Sequence, residues 1–232
     1  VSHQPDMKKN SNKLVEQFSA HPDAQIAFDL MAQFPAGKVC VVGGSVRDLL
    51  HTRKIKDIDL VVSGVPEKEL ETYLRTKGKV ALVGKSFGVF AFRATKGSSH
   101  QIDIALPRTE KSVGTRGGYR DFDIVTDHAL SIEEDLSRRD FTINAMALDV
   151  RTGTLIDPYG GTKDLEARVL RAVGDPVKRF SEDRTRVLRG VRFAVCLGLA
   201  LDPATREAMK HVSLADPDQQ HIISREVIAR EL

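Results

Sequence analysis

The residues with the clearest chemical potential are two aspartates, Asp57 and Asp59, which follow the glycine-rich turn Gly43-Gly44-Ser45. Side chains two positions apart on a strand share a face, so both carboxylates are expected on one side of a strand. Like charges held that close repel unless a cation lies between them. Glycines let a ligand approach the backbone, and a helix start attracts phosphate. The segment therefore predicts a site for Mg²⁺ and a nucleoside triphosphate.

Other side chains extend this prediction. Arg47 follows the turn and offers a fork of donors to phosphate oxygens. Asp103 lies in an apolar strand-like run, and if that strand pairs beside the strand of Asp59, three carboxylates converge as in two-metal phosphoryl transfer. The residues alone leave simpler interpretations open: a tight turn at the glycines, a turn or cap at the pair Asp57 and Asp59, and an edge-strand charge at Asp103.

Two arginine-rich segments farther along the chain could bind the rest of a nucleotide. Arg139 and Asp140 precede a polar-apolar run that contains Asn144, and such groups suit a triphosphate and ribose hydroxyls. A surface ion pair is the alternative interpretation. Asp183 begins a run with arginines three and six positions later, Arg186 and Arg189, so these three are expected on one side of a helix. A carboxylate beside guanidinium groups can match the edge of a base, although helices laced with salt bridges are common.

The secondary-structure elements that must position these groups are first a mixture of helices and strands, and later in the chain only helices. Helices are predicted at 23–34, 45–50 and 66–76 and, from the capping pair of Ser131 and Glu134, up to 137. Strands are predicted at 38–42, 58–62, 80–83, 89–95, 101–106 and 143–150, with a glycine-rich loop at 111–120. After a turn at 157–161 come helices at 181–197, capped by Ser181, at 203–212, and from Ser224 onward.

Composition bounds the class of protein. The 232 residues are 41% hydrophobic and 29% charged with a net charge of +3, which is typical of a soluble globular chain of one or two domains. Two cysteines and seven scattered histidines argue against a disulfide scaffold or a zinc site. The low cysteine count favours the reducing cytoplasm, and the sequence has neither a membrane-length apolar run nor a signal-peptide pattern, so no membrane partner is expected. The predicted domains are a flexible tail at 1–22, a mixed-sheet domain at 23–160, and a helical domain at 161–232 that is truncated within its last helix.

Taken in order, the motifs resemble those of class II tRNA nucleotidyltransferases (CCA-adding enzymes) and bacterial poly(A) polymerases. The resemblance extends over roughly 39–201 and rests on five elements. They are Gly43-Gly44-Ser45-Val46-Arg47-Asp48, Asp57-Ile58-Asp59, Arg138-Arg139-Asp140 with Asn144, Asp157-Pro158-Tyr159-Gly160-Gly161 with Asp164, and Glu182-Asp183 with Arg186, Arg189 and Arg192. It implies an α+β fold, with a nucleotidyltransferase-type mixed-sheet head followed by a helical neck.

The resemblance also implies roles. Asp57 and Asp59 would bind two Mg²⁺ ions, with Asp103 as a third catalytic carboxylate, and the Gly43–Ser45 turn with Arg47 would hold the triphosphate. In the arginine-rich segments, Arg139, Asp140 and Asn144 would fix triphosphate and ribose. Asp183 and Arg186 would act as a template for the base, and Arg189 and Arg192 would complete the nucleotide pocket.

The implied activity is template-independent addition of C and A, from CTP and ATP, to tRNA 3′ ends. Poly(A) addition to RNA, or A-only or CC-only addition to tRNA, are alternatives within the same resemblance. A binding module that has lost catalysis is an alternative of another class, and the retained pair of Asp57 and Asp59 argues against it, because binding alone does not need two metal ligands.

Overall fold

The computed structural model describes residues 13–51, 55, 57–83, 88–94, 100–112, 122–214, 223 and 225–231. Helices in these ranges are α1 at 13–19, α2 (Gln25–Gln33), α3 (Gly44–Leu50), α4 (Glu67–Lys77), α5 (Ile132–Ser137), α6 (Gly161–Glu166), α7 (Pro176–Glu182), α8 (Thr185–Leu197), α9 (Pro203–His211) and α10 (Arg225–Glu231). Strands are β1 (Lys38–Val42), β2 (Asp59–Ser63), β3 (Gly78–Val83), β4 (Val89–Ala94), β5 (Ile102–Ala105), β6 (Arg108–Ser112), β7 (Phe122–Thr126), β8 (Ala147–Asp149), β9 (Leu155–Ile156), β10 (Val169–Leu170) and β11 (Ala200–Leu201).

The chain divides into two compact units. The first, called the sheet unit here, comprises Val1–Thr109, Val125–Leu136 and Met146–Pro158. The second, the helical unit, comprises Glu110–Ile124, Ser137–Ala145 and Tyr159–Leu232. The domain boundaries expected from the sequence stay a prediction, and the first 12 residues of the expected tail lie outside the described ranges.

The sheet unit is built on a seven-stranded sheet with the order β3-β4-β5-β2-β1-β8-β9. All neighbours are antiparallel except β2 and β5, which pair in parallel with Asp59 opposite Asp103. The run Val39–Val42 of β1 is buried throughout, as expected for a strand in the middle of a covered sheet. In β5 burial alternates, so Ile102 and Ile104 enter the core while Asp103 lies on the opposite, half-buried face. The backbone thus brings two carboxylates together from distant parts of the sequence.

Local signals account for several helix starts. Ser131 and Glu134 form the expected capping box: the Ser131 hydroxyl accepts from the Glu134 N–H at 3.2 Å, and the Glu134 carboxylate accepts from the Ser131 N–H at 2.8 Å. Asp202 caps α9 by accepting from the Thr205 N–H at 3.1 Å, with Pro203 in the first turn. These two starts are confirmed predictions.

The helical unit corrects the prediction of one helix over 181–197. Two helices are present, because Asp183 is extended (φ −140°, ψ 106°) and separates α7 from α8. Ser181 lies inside α7, whose cap is Asp175, with its carboxylate accepting from the Val177 and Lys178 N–H groups. The sequence signal was present: Asp175-Pro176 is a typical helix start, with a capping acid followed by proline in the first turn.

Two further expectations are corrected. The strand expected at 143–150 is divided: residues Thr142–Asn144 form a 3₁₀ turn, and only Ala147–Asp149 belong to the sheet. The loop expected at 111–120 begins with strand residues, because β6 ends at Ser112 and pairs with β7; the rest of that loop lies outside the described residues. In the part of the chain that is described, no helix has the length and apolar character needed to cross a membrane.

Candidate active site

The glycine turn joins β1 to α3 in the sheet unit. Gly43 has a positive φ of 67°, a backbone conformation that favours glycine, and its N–H donates to the Met146 carbonyl at 3.2 Å. A side chain at Gly44 would meet the Arg47 guanidinium, since its Cβ would lie 3.3 Å from Nη2. The turn therefore keeps Arg47 folded back over the backbone at the start of α3.

Ser45 ties this turn to the carboxylate segment. Its buried hydroxyl donates to the Asp57 carbonyl at 2.8 Å and accepts from the Asp59 N–H at 3.2 Å. One side chain thus satisfies two backbone groups at the entrance to β2. This contact brings together the two motifs that the sequence places 12 to 14 residues apart.

The three predicted catalytic carboxylates do not all lie on strands. Asp59 is the first residue of β2, but Asp57 is exposed in the bend before it, so the expectation that both belong to one strand is wrong for Asp57. Asp59 and Asp103 are direct partners across the parallel pair of β2 and β5, which fulfils the condition set for Asp103. Both are half-buried, and the Asp103 carboxylate accepts from the Gln101 amide at 3.0 Å.

A hard cation fits this group of oxygen donors. Among the described residues, no three His, Cys, Asp or Glu side chains form a ready set of metal ligands, and the convergence of three carboxylates stays a prediction. Mg²⁺ does not need such a set, because it is commonly held by one or two carboxylates together with substrate phosphates and water. Asp57 and Asp59 supply two carboxylates, which is the number and kind of protein ligand that Mg²⁺ needs in such a site.

Arg47 lies in α3, three positions after Gly44. Its guanidinium is mostly buried and pairs with Asp48, with Nε and Nη2 each 3.0 Å from the Asp48 carboxylate. This pairing holds the guanidinium in one orientation over Gly44. Gly43, Gly44, Ser45 and Arg47 thus lie together at the start of α3, and Ser45 links this turn to the Asp57–Asp59 segment.

The predicted arginine residues form a second group, in the helical unit. At its centre is buried Asp140, which accepts from Arg189 Nε at 2.8 Å and lies 2.6 Å from Arg189 Nη2. Burial alone would raise the pKa of the Asp140 carboxyl, but the charge and hydrogen bonds of Arg189, with the Phe141 N–H, lower it below its usual range. The negative charge of Asp140 in turn raises the pKa of Arg189. The pair is therefore ionised on both sides.

Asn144 and Arg139 complete the start of this group. The Asn144 amide donates to Asp140 Oδ1 at 3.3 Å, so Asp140 links Asn144 to Arg189. Arg139 is half-buried, and its Nη1 is 3.4 Å from the Asn144 carbonyl oxygen. The structure thus brings together the predicted ribose and triphosphate residues of this segment.

Arg186 is buried and held from several sides. It donates to the Arg138 carbonyl at 3.0 Å, to the Arg179 carbonyl at 3.1 Å, and to Glu182 at 3.0 Å. Arg179 also donates to the Glu182 carboxylate, at 3.0 Å, and to the Ser137 carbonyl, at 2.8 Å. Much of the Arg186 donor capacity therefore fixes the backbone between α5 and Asp140.

Asp183 has a local structural task as well. Its carboxylate accepts from the Thr185 N–H at 2.9 Å and hydroxyl at 2.6 Å, which starts α8. Its other oxygen lies 4.0 Å from Arg186 Nε. Because Asp183 precedes α8, the expectation that Asp183, Arg186 and Arg189 line one side of a single helix is wrong for Asp183.

Sequence reasoning missed the residues that hold these arginines. Arg179 and Glu182 fix Arg186, and Glu231 pairs with Arg192. A further network joins Arg171 to Asp164 and Asp202, and Asp164 accepts from the Thr142 hydroxyl at 2.7 Å. Thr142 and Asp164 are 22 residues apart, Arg171 and Asp202 are 31 apart, and Arg192 and Glu231 are 39 apart. No local spacing in the sequence indicates these three pairs.

The chain matches one family by sequence. The family described as Poly A polymerase head domain matches residues 39–171. The chain is also 45% identical over 179 residues to the multifunctional CCA protein of Stenotrophomonas maltophilia (strain R551-3), a match that covers 76% of this chain and 40% of that protein. The chain thus spans about two fifths of the length of the curated relatives it matches.

Solved structures give the same answer for the fold. The Bacillus stearothermophilus CCA-adding enzyme in complex with CTP matches with a TM-score of 0.65 and 34% identity, over 84% of this chain and 46% of that one. The Thermotoga maritima CCA-adding enzyme complexed with tRNA-CCA matches with a TM-score of 0.66 and 32% identity, over 86% and 44%. The predicted family resemblance and the mixed-sheet α+β head are therefore confirmed, while the designation of the later helices as a neck stays a prediction.

Proposed function

Because the chain belongs to the Poly A polymerase head domain family, we propose that it carries the catalytic site of a template-independent RNA nucleotidyltransferase. In this proposal it adds C and A, from CTP and ATP, to tRNA 3′ ends with release of pyrophosphate. The names of its relatives, a multifunctional CCA protein and CCA-adding enzymes, support the choice of tRNA. The protein is expected to work in the cytoplasm.

One observation carries the proposal for the chemistry. Asp59 lies at the start of β2, opposite Asp103, and Ser45 links the Asp57–Asp59 segment to the glycine turn. Carboxylates beside a glycine turn that also carries a guanidinium are the groups needed for a triphosphate with its cation. In a protein that only binds RNA, this acidic group would repel the phosphate backbone.

Asp57 and Asp59 would hold Mg²⁺ together with triphosphate oxygens. Two such ions would be held: one would lower the pKa of the RNA 3′-hydroxyl, and the other would neutralise charge on the leaving pyrophosphate. Asp103 would be the third carboxylate of the reaction. Gly44 and Arg47 would bind the triphosphate, with Arg47 held in place by Asp48.

The helical unit would select and orient the nucleotide. Arg139, Asp140 and Asn144 would fix triphosphate and ribose, and Arg189 and Arg192 would complete the pocket. Asp183 and Arg186 would present acceptors and donors to the base edge. Since Arg186 is held by two backbone carbonyls and Glu182, its guanidinium keeps a fixed direction.

Product length separates this proposal from the alternatives. The chain would be incubated with Mg²⁺ and labelled CTP or ATP, or both, using either a tRNA that lacks its CCA end or an unrelated RNA oligomer. Three added residues on the tRNA alone would support CCA addition. A long ladder on both RNAs would indicate a poly(A) polymerase, and one or two residues an A-adding or CC-adding enzyme. Absence of Mg²⁺-dependent pyrophosphate release would contradict catalysis and favour a binding module.

A further inference from the structure

Arg192 is held by a residue to which the family resemblance gives no role. Its Nε and Nη2 atoms are each 2.9 Å from Oε2 of Glu231, the last residue of α10. The guanidinium also lies over the Phe193 ring, 4.6 Å from its centroid. The Glu231 side chain is buried, with 5% exposed, whereas 36% of the Arg192 side chain is exposed. The carboxylate therefore supports the guanidinium from the interior.

Arg189 is held in a closely similar way one helical turn earlier. Its Nε and Nη2 atoms face one oxygen of buried Asp140, at 2.8 and 2.6 Å, and it lies 5.6 Å from the same Phe193 ring. In both arginines the edge formed by Nε and Nη2 faces a buried carboxylate. Within the described residues no protein acceptor is found for Nη1 of either arginine, so each keeps donors for a ligand.

This repetition has a physical consequence for binding. A free arginine side chain samples many rotamers, and ordering it on binding lowers affinity. A carboxylate that grips one edge of the guanidinium fixes its rotamer before a ligand arrives. Asp140 does this for Arg189 from the segment before the helices, and Glu231 does it for Arg192 from α10.

We propose that Glu231 is a positioning residue of the nucleotide site, which fixes Arg192 over Phe193 in the orientation that binds nucleotide. The inference rests on the proposed function, because it assumes that Arg192 contacts the nucleotide. It assigns α10 a part in nucleotide affinity, in addition to its packing against α8. Glu231 itself would touch neither the nucleotide nor the reacting atoms.

The test compares Glu231→Gln with the unchanged chain. Glutamine keeps the size of the side chain but removes its charge. We expect the Kd for CTP and for ATP to rise by about tenfold, the lower end of the loss typical when an orienting partner is removed, while kcat changes less than twofold. NMR of the arginine Nε–H groups should show a changed Arg192 signal and an unchanged Arg189 signal, because Asp140 is intact.

Two control variants separate positioning from simple packing. Ile223→Val trims a buried residue just before α10 and should lower the Tm without changing the Kd. Glu207→Gln removes an exposed ion pair with Lys210 and should change neither quantity. If Glu231→Gln does not fold, Glu231→Asp replaces it: the charge is kept but withdrawn by one methylene, and a smaller rise in Kd is expected.

The outcomes are distinguishable. If the unchanged chain bound neither CTP nor ATP, the proposed function itself would be wrong. If it bound both, and the Glu231 variant bound them equally well, only the role of Glu231 would be overturned. An unchanged Arg192 signal in Glu231→Gln would likewise overturn it, as would an equal rise in Kd for Ile223→Val.

Discussion

The sheet unit and the helical unit position their candidate functional groups by different means. In the sheet unit the backbone does it: β-sheet register sets Asp59 opposite Asp103, and Ser45 binds backbone groups of the Asp57–Asp59 segment. In the helical unit side chains do it, through pairs such as Arg189 with Asp140, 49 residues apart in sequence.

The difference has energetic consequences. The carboxylates of the sheet unit are exposed or half-buried, so they can accept a cation and contribute little to packing. Asp140 and Arg186 of the helical unit are buried, and their partners would be left with uncompensated charge if either were removed. Substitutions of the sheet-unit carboxylates should therefore reduce activity with little loss of stability, and those of Asp140 and Arg186 should reduce stability first.

The largest expected effect is that of Asp59→Asn on nucleotide transfer. Loss of one carboxylate charge removes a ligand from the proposed cation site, whose charge stabilisation is worth several kcal/mol, so kcat should fall by about 10³-fold. The Tm should stay close to that of the unchanged chain. Both are measured by labelled CTP incorporation and thermal unfolding.

The matched control is Asp127→Asn, in an exposed turn of the same unit, where asparagine can still accept from the Ala129 N–H. It should leave transfer unchanged. Normal incorporation by the Asp59 variant would remove the carboxylates from the mechanism and erase the contrast between the two units.

Asp140→Asn should have the largest effect on stability. It leaves Arg189, whose side chain is 37% exposed, without its counter-ion, so the free energy of unfolding should fall by about 2–3 kcal/mol, less than for a fully buried pair. Urea unfolding at pH 7 measures it. Glu207→Gln, which removes an exposed ion pair, should cost less than about 1 kcal/mol.

The same pair predicts a pH dependence. Because the folded-state pKa of Asp140 is lowered, its contribution is present above the unfolded pKa of about 3.9 and is lost as pH falls through the folded value. The stability gap between the unchanged chain and Asp140→Asn should therefore narrow below about pH 4. A gap that stayed constant down to acid pH would show that the Asp140 charge is not what stabilises the helical unit.

Asp183→Asn probes selectivity with an intermediate expected effect. Asparagine keeps an oxygen for the Thr185 N–H, so stability should change by less than about 1 kcal/mol. Replacing the other oxygen by an NH₂ group changes the pattern of hydrogen-bond donors and acceptors offered to a base. The preference for CTP and ATP over UTP and GTP should therefore fall by about tenfold, which corresponds to the loss of one hydrogen bond.

Competition between labelled nucleotides measures this preference. Arg186→Ala is the informative companion, because it should lower both selectivity and stability: it also removes donors to the Arg138 and Arg179 carbonyls. Should Asp183→Asn keep full selectivity, Asp183 would be a helix cap and no part of a base template.

What could be predicted from sequence follows the same division. The β1–turn–α3 segment is contiguous, and its apolar run, glycines and helix start were sufficient to predict it. The pairing of Asp59 with Asp103 could be stated only as a condition, because strand order depends on contacts across the whole sheet. The Arg138 carbonyl and Glu231 could not be predicted as partners of Arg186 and Arg192, since they lie 48 and 39 residues away; the Glu182 partner of Arg186, four residues away, has a helical spacing and was overlooked. Asp183 was misjudged because helix α7 ends just before it, at Glu182, after starting at the overlooked Asp175-Pro176.

Ser45→Ala sharpens the comparison within the sheet unit. Alanine removes both hydrogen bonds that hold the Asp57–Asp59 segment, at a cost of about 1–2 kcal/mol in the free energy of unfolding. Transfer should fall by about tenfold, because the carboxylates keep their charges but lose a fixed position. Ser63→Ala, at the other end of β2, is the control. It should change both the free energy of unfolding and the rate of transfer less than Ser45→Ala does. If Ser45→Ala lost stability without losing activity, sheet register alone would be sufficient to position the carboxylates, and the link from the glycine turn would be purely structural.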